Sequence, residues 1–206
     1  MDLSPRNDTI VSSESMTSKE RFPDEAERAF SFLKDAGFRL VERGRTRLRY
    51  ESARVVLTIE WDPRSGEMNV FFGLQPRYGE ARDSFALADV LGMEGVDLPE
   101  RGMPFQVADE GRLGPFVARL ADDTRIHAQP AIAGDRMFFH RLKAFRNAQS
   151  DRYMLAMKLR RVRSEADDAW HKRDFRRVID LYTSIQDHLS AFESGRLAYA
   201  KKHHRA

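Results

Sequence analysis

The sequence predicts an α+β fold, and three observations carry that reading. Thr46 to Leu74 reads as three consecutive antiparallel strands, the last third reads as helical hairpins, and charge is divided unevenly between the two parts. The architecture that fits is an antiparallel sheet of about four strands covered by helices, followed by a helical-hairpin C-terminal part.

Strand residues alternate between the two faces of a sheet. Val55, Leu57, Ile59 and Trp61 fall on one face, and Arg54, Thr58 and Glu60 on the other, with Val56 as the one apolar intruder. Asp62-Pro63-Arg64-Ser65-Gly66 is a turn, because Pro63 sets φ early and Gly66 supplies a positive φ. The chain returns with Met68, Val70 and Phe72 on the apolar face; upstream, Leu48 and Tyr50 alternate with Arg47, Arg49 and Glu51. The polar face is either a solvated surface with cross-strand charge pairs or a surface for a ligand or partner. The solvated reading is the expected one.

Around this sheet the elements follow in order. Residues 1–22 are rich in Ser, Thr, Asn and Asp and are expected to be disordered. A helix is expected from Pro23, with acids in its first turn and Gly37 as its stop. Phe38 to Val41 is a short strand. Between residues 75 and 112, eight Gly and Pro residues predict loops, with Ser84–Leu91 the one ordered candidate. A helix is expected from Arg112 or Gly114, and another after Asp135 with Phe138, Leu142 and Phe145 as its stripe. Ser150 is read as the cap of a third helix, Asp174 of a fourth, and Ser190-Ala191-Phe192-Glu193 as the capping box of a fifth. The expected organisation is a disordered segment 1–22, an α+β domain 23–147 and a helical region 148–206.

The chain has 206 residues and no cysteine, which excludes disulfides, cysteine nucleophiles and thiolate metal sites. No apolar run is long enough to span a bilayer, and the N-terminal stretch has no apolar core of a secretory signal. A cytoplasmic protein with no membrane contact is expected. Residues 1–140 hold 19 Lys/Arg against 24 Asp/Glu, whereas residues 141–206 hold 16 against 8.

No phosphate loop, nucleophile elbow or histidine ligand cluster occurs, so no catalytic residue, cofactor or metal is assigned and enzyme activity is not expected. Gly92-Met93-Glu94-Gly95 lacks the Lys-Ser/Thr of a nucleotide loop. Asp122-Asp123 and Asp167-Asp168 point about 100° apart on a helix, so neither pair is a shared-proton dyad. His203-His204 reads as a solvated tail. The candidate partner-binding residues are Arg160, Arg161, Arg163, Lys172, Arg173, Arg176 and Arg177. They suit an acidic protein, an acidic segment of the same chain, or a phosphate backbone. No aromatic residue interleaves the basic face in the sequence reading, which places nucleic acid second.

Residues 166–200 resemble a single tetratricopeptide-type repeat with the start of another, through Ala166, Phe175 after a short turn, and Tyr182. Val178 and Ser190 depart from that pattern, at a position where a small residue is usual and at one where proline is. The resemblance implies helix-hairpin geometry and not a peptide groove. FLKDAGF, YES ahead of a strand, and EWDPRSGE together resemble uncharacterised small bacterial α+β proteins, some of them immunity- or accessory-like. That resemblance implies a protein-interaction module and transfers no site residues.

Overall fold

A computed structural model describes residues 18–75, 83–96, 106–107 and 110–204. The chain divides into two compact units, Met1–Lys143 and Ala144–Ala206. Helix α6 (Arg136–His171) supplies residues to both.

The first unit is an α+β layer. Its five strands are β1 (Arg39–Arg43), β2 (Arg47–Glu51), β3 (Val55–Asp62), β4 (Glu67–Leu74) and the two-residue β5 (Phe85–Ala86), paired antiparallel in sequence order. Four strands were expected, and β5 adds a short edge. Register places Tyr50 opposite Leu57 and Leu57 opposite Phe72, with Leu48, Ile59 and Val70 in the next row and Trp61 beside Met68. Every residue predicted for the apolar face is buried.

Helices cover that face. α1 (Ser18–Ala29), α4 (Leu113–His127), α3 (Leu87–Met93) and the first turns of α6 contribute Phe22, Ala26, Leu113, Val117, Leu120, Val90, Phe138 and Leu142 to one core with the sheet. Short helices α2 (Phe32–Asp35) and α5 (Gln129–Ile132) complete the layer.

Three expectations need correction. Residues 18–22, read as disordered, form the first turn of α1 ahead of Pro23; residues 1–17 lie outside the described residues. Phe22 is fully buried with its ring 5.5 Å from that of Trp61, and this burial favours helix through a segment whose composition reads as disorder. The first helix does not run unbroken to Gly37. It ends at Ala29 and α2 follows, after which Gly37 turns the chain at φ +81°. Finally, Asn147 to Ser150 do not divide two helices. α6 is one helix of 36 residues, about 54 Å long, with no Gly or Pro inside it to stop it.

Of residues 75–112, Ser84–Leu91 is ordered as expected, in β5 and the start of α3, while residues 76–82, 97–105 and 108–109 lie outside the described residues.

The second unit is a three-helix arrangement of α6, α7 (Phe175–Thr183) and α8 (Ala191–His203) around Val162, Ala166, Ala169, Val178, Leu181, Tyr182, Leu197 and Ala200. The predicted caps at Asp174 and Ser190 are present, whereas Ser150, also read as a cap, lies inside α6. Asp174 Oδ1 accepts from the Arg177 N–H at 3.0 Å, and Ser190 Oγ accepts from the Glu193 N–H at 3.2 Å. Glu193 closes the box, accepting the Ser190 N–H at 2.7 Å.

Candidate functional site

Charges on the outer sheet face are paired, both across strands and along β2. Arg47 lies 3.3 Å from Glu60 and 3.8 Å from Glu42, and Arg49 bonds to Glu51. Val56 and Thr58 are buried on this face, at an open notch of about 310 Å³ whose lining includes Gly73 and Phe71. Charge pairing is present on this face, but its middle is shielded rather than solvated, with Val56 and Thr58 buried and Glu60 and Phe71 half-buried.

Structure sorts the predicted basic residues into two groups. Arg163 is a tie within the unit. Its Nε donates to Glu193 at 2.8 Å and its Nη2 to the His188 carbonyl at 2.9 Å. Burial acts to raise the Glu193 carboxyl, but the Ser190 backbone N–H and the Arg163 guanidinium outweigh it and hold the group below the usual glutamate range. Arg177 Nη2 donates to Glu165 at 2.7 Å, and Arg161 approaches the same carboxylate at 3.9 Å. By contrast, Arg160, Lys172, Arg173 and Arg176 are exposed and make no ion pair with a described residue. The seven residues thus do not form one free patch.

Sequence reasoning passed over the apolar companions of this charge. Residues 147–158 of α6 are exposed throughout, and among them Tyr153 is 65%, Met154 64% and Met157 43% exposed. Steps of 100° place these three within one sector of the helix, and Arg161 falls in the same sector one turn on. From Arg136 to Arg163, α6 carries nine Lys/Arg and one acid, Asp151. The Tyr-Met-Leu-Ala-Met run was the signal, because exposed apolar groups inside a basic helix mark an interaction surface.

Aromatic interleaving, not expected from the sequence, is present on the other side of this unit. Trp170 and Phe175 pack with rings 5.9 Å apart, and Tyr199 of α8 lies 5.4 Å from Trp170 and 5.8 Å from Phe175. Arg196 lies 4.9 Å over the Trp170 ring, while Asp167 accepts from it at 2.7 Å. That hydrogen bond from Arg196 holds the Asp167 carboxyl below its ordinary range.

Among the described residues, no group of three His, Asp or Glu side chains is placed to hold a metal ion, and no helix is long and apolar enough to cross a membrane. No protein-family model, curated protein or solved structure matches the chain.

Proposed function

We propose that this chain is a non-catalytic, cytoplasmic protein-interaction module, adaptor- or immunity-like, whose unit Ala144–Ala206 docks an acidic partner protein. The observation that supports this most is the bare middle of α6, where Tyr153, Met154 and Met157 stand in solvent. A helix with exposed methionines and aromatics among cations matches the helix-in-groove mode of recognition, in which apolar anchors enter a groove and rim charges set partner choice. Arg152, Lys158 and Arg160 would face carboxylates on that rim.

A second copy of the chain is a poorer occupant of this surface. Two such helices side by side would bring Arg152, Lys158 and Arg160 against the same cations of the second copy, and like charges across an interface cost several kcal/mol.

Affinity capture from the native cell extract, with and without nuclease, tests this reading. It predicts a stoichiometric acidic protein that survives nuclease and is lost when Tyr153, Met154 and Met157 are all changed to Asp. A partner retained by that triple variant, or no nuclease-resistant partner at all, sinks it.

A further inference from the structure

Phe192, Arg196, Tyr199 and His203 fall at the i, i+4, i+7, i+11 spacing of one α-helical face. On α8 they form a ladder of flat groups. The Arg196 guanidinium lies 4.5 Å over the Phe192 ring and 4.9 Å over Trp170. Trp170 is 5.4 Å from Tyr199, and Tyr199 stacks on the His203 imidazole at 4.1 Å with planes 29° apart. Asp167 fixes Arg196 from behind, and Phe175 backs Tyr199 and His203. The ladder follows α8 for about 16 Å, the rise of its eleven steps.

Arg196, Tyr199 and His203 tie α8 to α6 and α7 on their inner sides, Phe192 meets Arg196 of its own helix, and the outer edge of the ladder is exposed. Phe192 is 67% and Tyr199 48% exposed, and His203 is also exposed. Cations flank part of the ladder. Lys172 and Arg173 sit on the turn just after Trp170, and Lys202 lies beside the Tyr199 edge of the face, whereas steps of 100° put Lys201 on the opposite side of α8. None of Lys172, Arg173 and Lys202 pairs with an acid among the described residues.

We propose that the α8 ladder is a stacking platform for a short single-stranded nucleic-acid segment. Bases lie on the exposed sides of Phe192, Tyr199 and His203, and phosphates lie against Lys172, Arg173 and Lys202. Every base has a π-face, so rings in a row with cations beside them accept single strands with little sequence preference. An acidic peptide would use the cations and leave the rings without partners. A duplex keeps its bases stacked inside itself and offers the ladder only phosphates. The platform shares no residue with the Tyr153–Met157 surface, so either assignment can fail while the other stands.

Fluorescence of the full chain supplies the test. There are two tryptophans. Trp61 is buried in the sheet unit and gives a constant background, while Trp170 lies in the ladder. The probes are twelve-nucleotide oligo-dT and oligo-U, a duplex of the same length, and poly-L-glutamate. The expected result is quenching of Trp170 by both single strands, with affinity falling about ten-fold or more between 50 and 200 mM salt. Phe192→Ala, at an exposed position that packs little, should weaken binding by about five-fold or more, and Tyr199→Ala by about ten-fold. Lys172→Gln with Lys202→Gln should lower both affinity and its salt dependence. Tyr153→Asp should leave oligonucleotide binding unchanged. Absence of binding, equal quenching by poly-L-glutamate, tighter binding of the duplex, or full affinity in the Phe192→Ala variant would each overturn the assignment.

Discussion

Arg163 donates from Nε to Glu193 at 2.8 Å, joining α6 to the capping box that starts α8. One guanidinium predicted to face a partner is thereby part of the unit's own framework. Glu193 is at once an N-cap partner and an ion-pair partner, and its side chain is largely shielded from water. Breaking either side should therefore cost more than a surface ion pair does. Glu193→Ala is expected to destabilise the chain by about 1–2 kcal/mol, chiefly through the lost cap. A double-mutant cycle with Arg163→Ala, read by urea unfolding, should give a coupling of at least about 0.5 kcal/mol. Strict additivity would show that the two residues do not act together.

Acid should loosen this junction. The folded Glu193 carboxyl lies below its ordinary value, so its contribution is complete above the unfolded value of about 4.3 and is lost as pH falls through the folded value. Amide protection factors of α8, which correct for the slower intrinsic exchange in acid, should fall as pH drops below about 4.3. In Glu193→Gln this acid-induced step should shrink. An unchanged step would assign it to another carboxylate, with Asp167, also held low by Arg196, the next to examine.

Trp61 anchors the other unit. It pairs in register with Met68, its ring meets Phe22, and it is 4% exposed. Trp61→Ala should cost about 3–5 kcal/mol in denaturant unfolding. A loss below about 1 kcal/mol would contradict the facing of β3.

Gly66 carries a conformational demand. Its φ is +74°, and a Cβ there would lie 2.5 Å from the Val107 carbonyl oxygen. Its own carbonyl accepts the Val107 N–H at 2.8 Å. Gly66→Ala should lower stability by about 1–2 kcal/mol or more, from left-handed strain together with displacement of the Val107 segment. A melting temperature equal to that of the parent chain would show that the turn relaxes at little cost.

How far the sequence could be read depended on the range of the interactions involved. Period-two alternation placed every residue of β2, β3 and β4 that joins the helix-covered core, because facing in a meander is local information, but it gave no sign that Val56 and Thr58 are buried on the other face. Caps at Asp174 and Ser190 were legible for the same reason, since a cap and its partner lie three residues apart. Phe22 was hidden because its partner Trp61 is distant in the chain. Asn147 to Ser150 looked like a break since polar residues interrupt the stripe, but without Gly or Pro the helix continues. Basic residues were visible at once, whereas their fates were not. Whether Arg163 is free depends on Glu193, on another helix. The α8 ladder did have a local signal, in the spacing of Phe192, Arg196, Tyr199 and His203. Its meaning came only with Trp170 and Phe175 packed beneath it.

The measurement that tests the central claim most directly is site-specific photocrosslinking in cells. A photoreactive amino acid is placed at Met154, on the bare middle of α6, and in a second strain at Asp122, on the exposed surface of α4. The account predicts one dominant crosslinked protein of acidic composition from position 154, insensitive to nuclease and absent from position 122. Crosslinks that are equal at both positions, or that form only to nucleic acid at position 154, would contradict it.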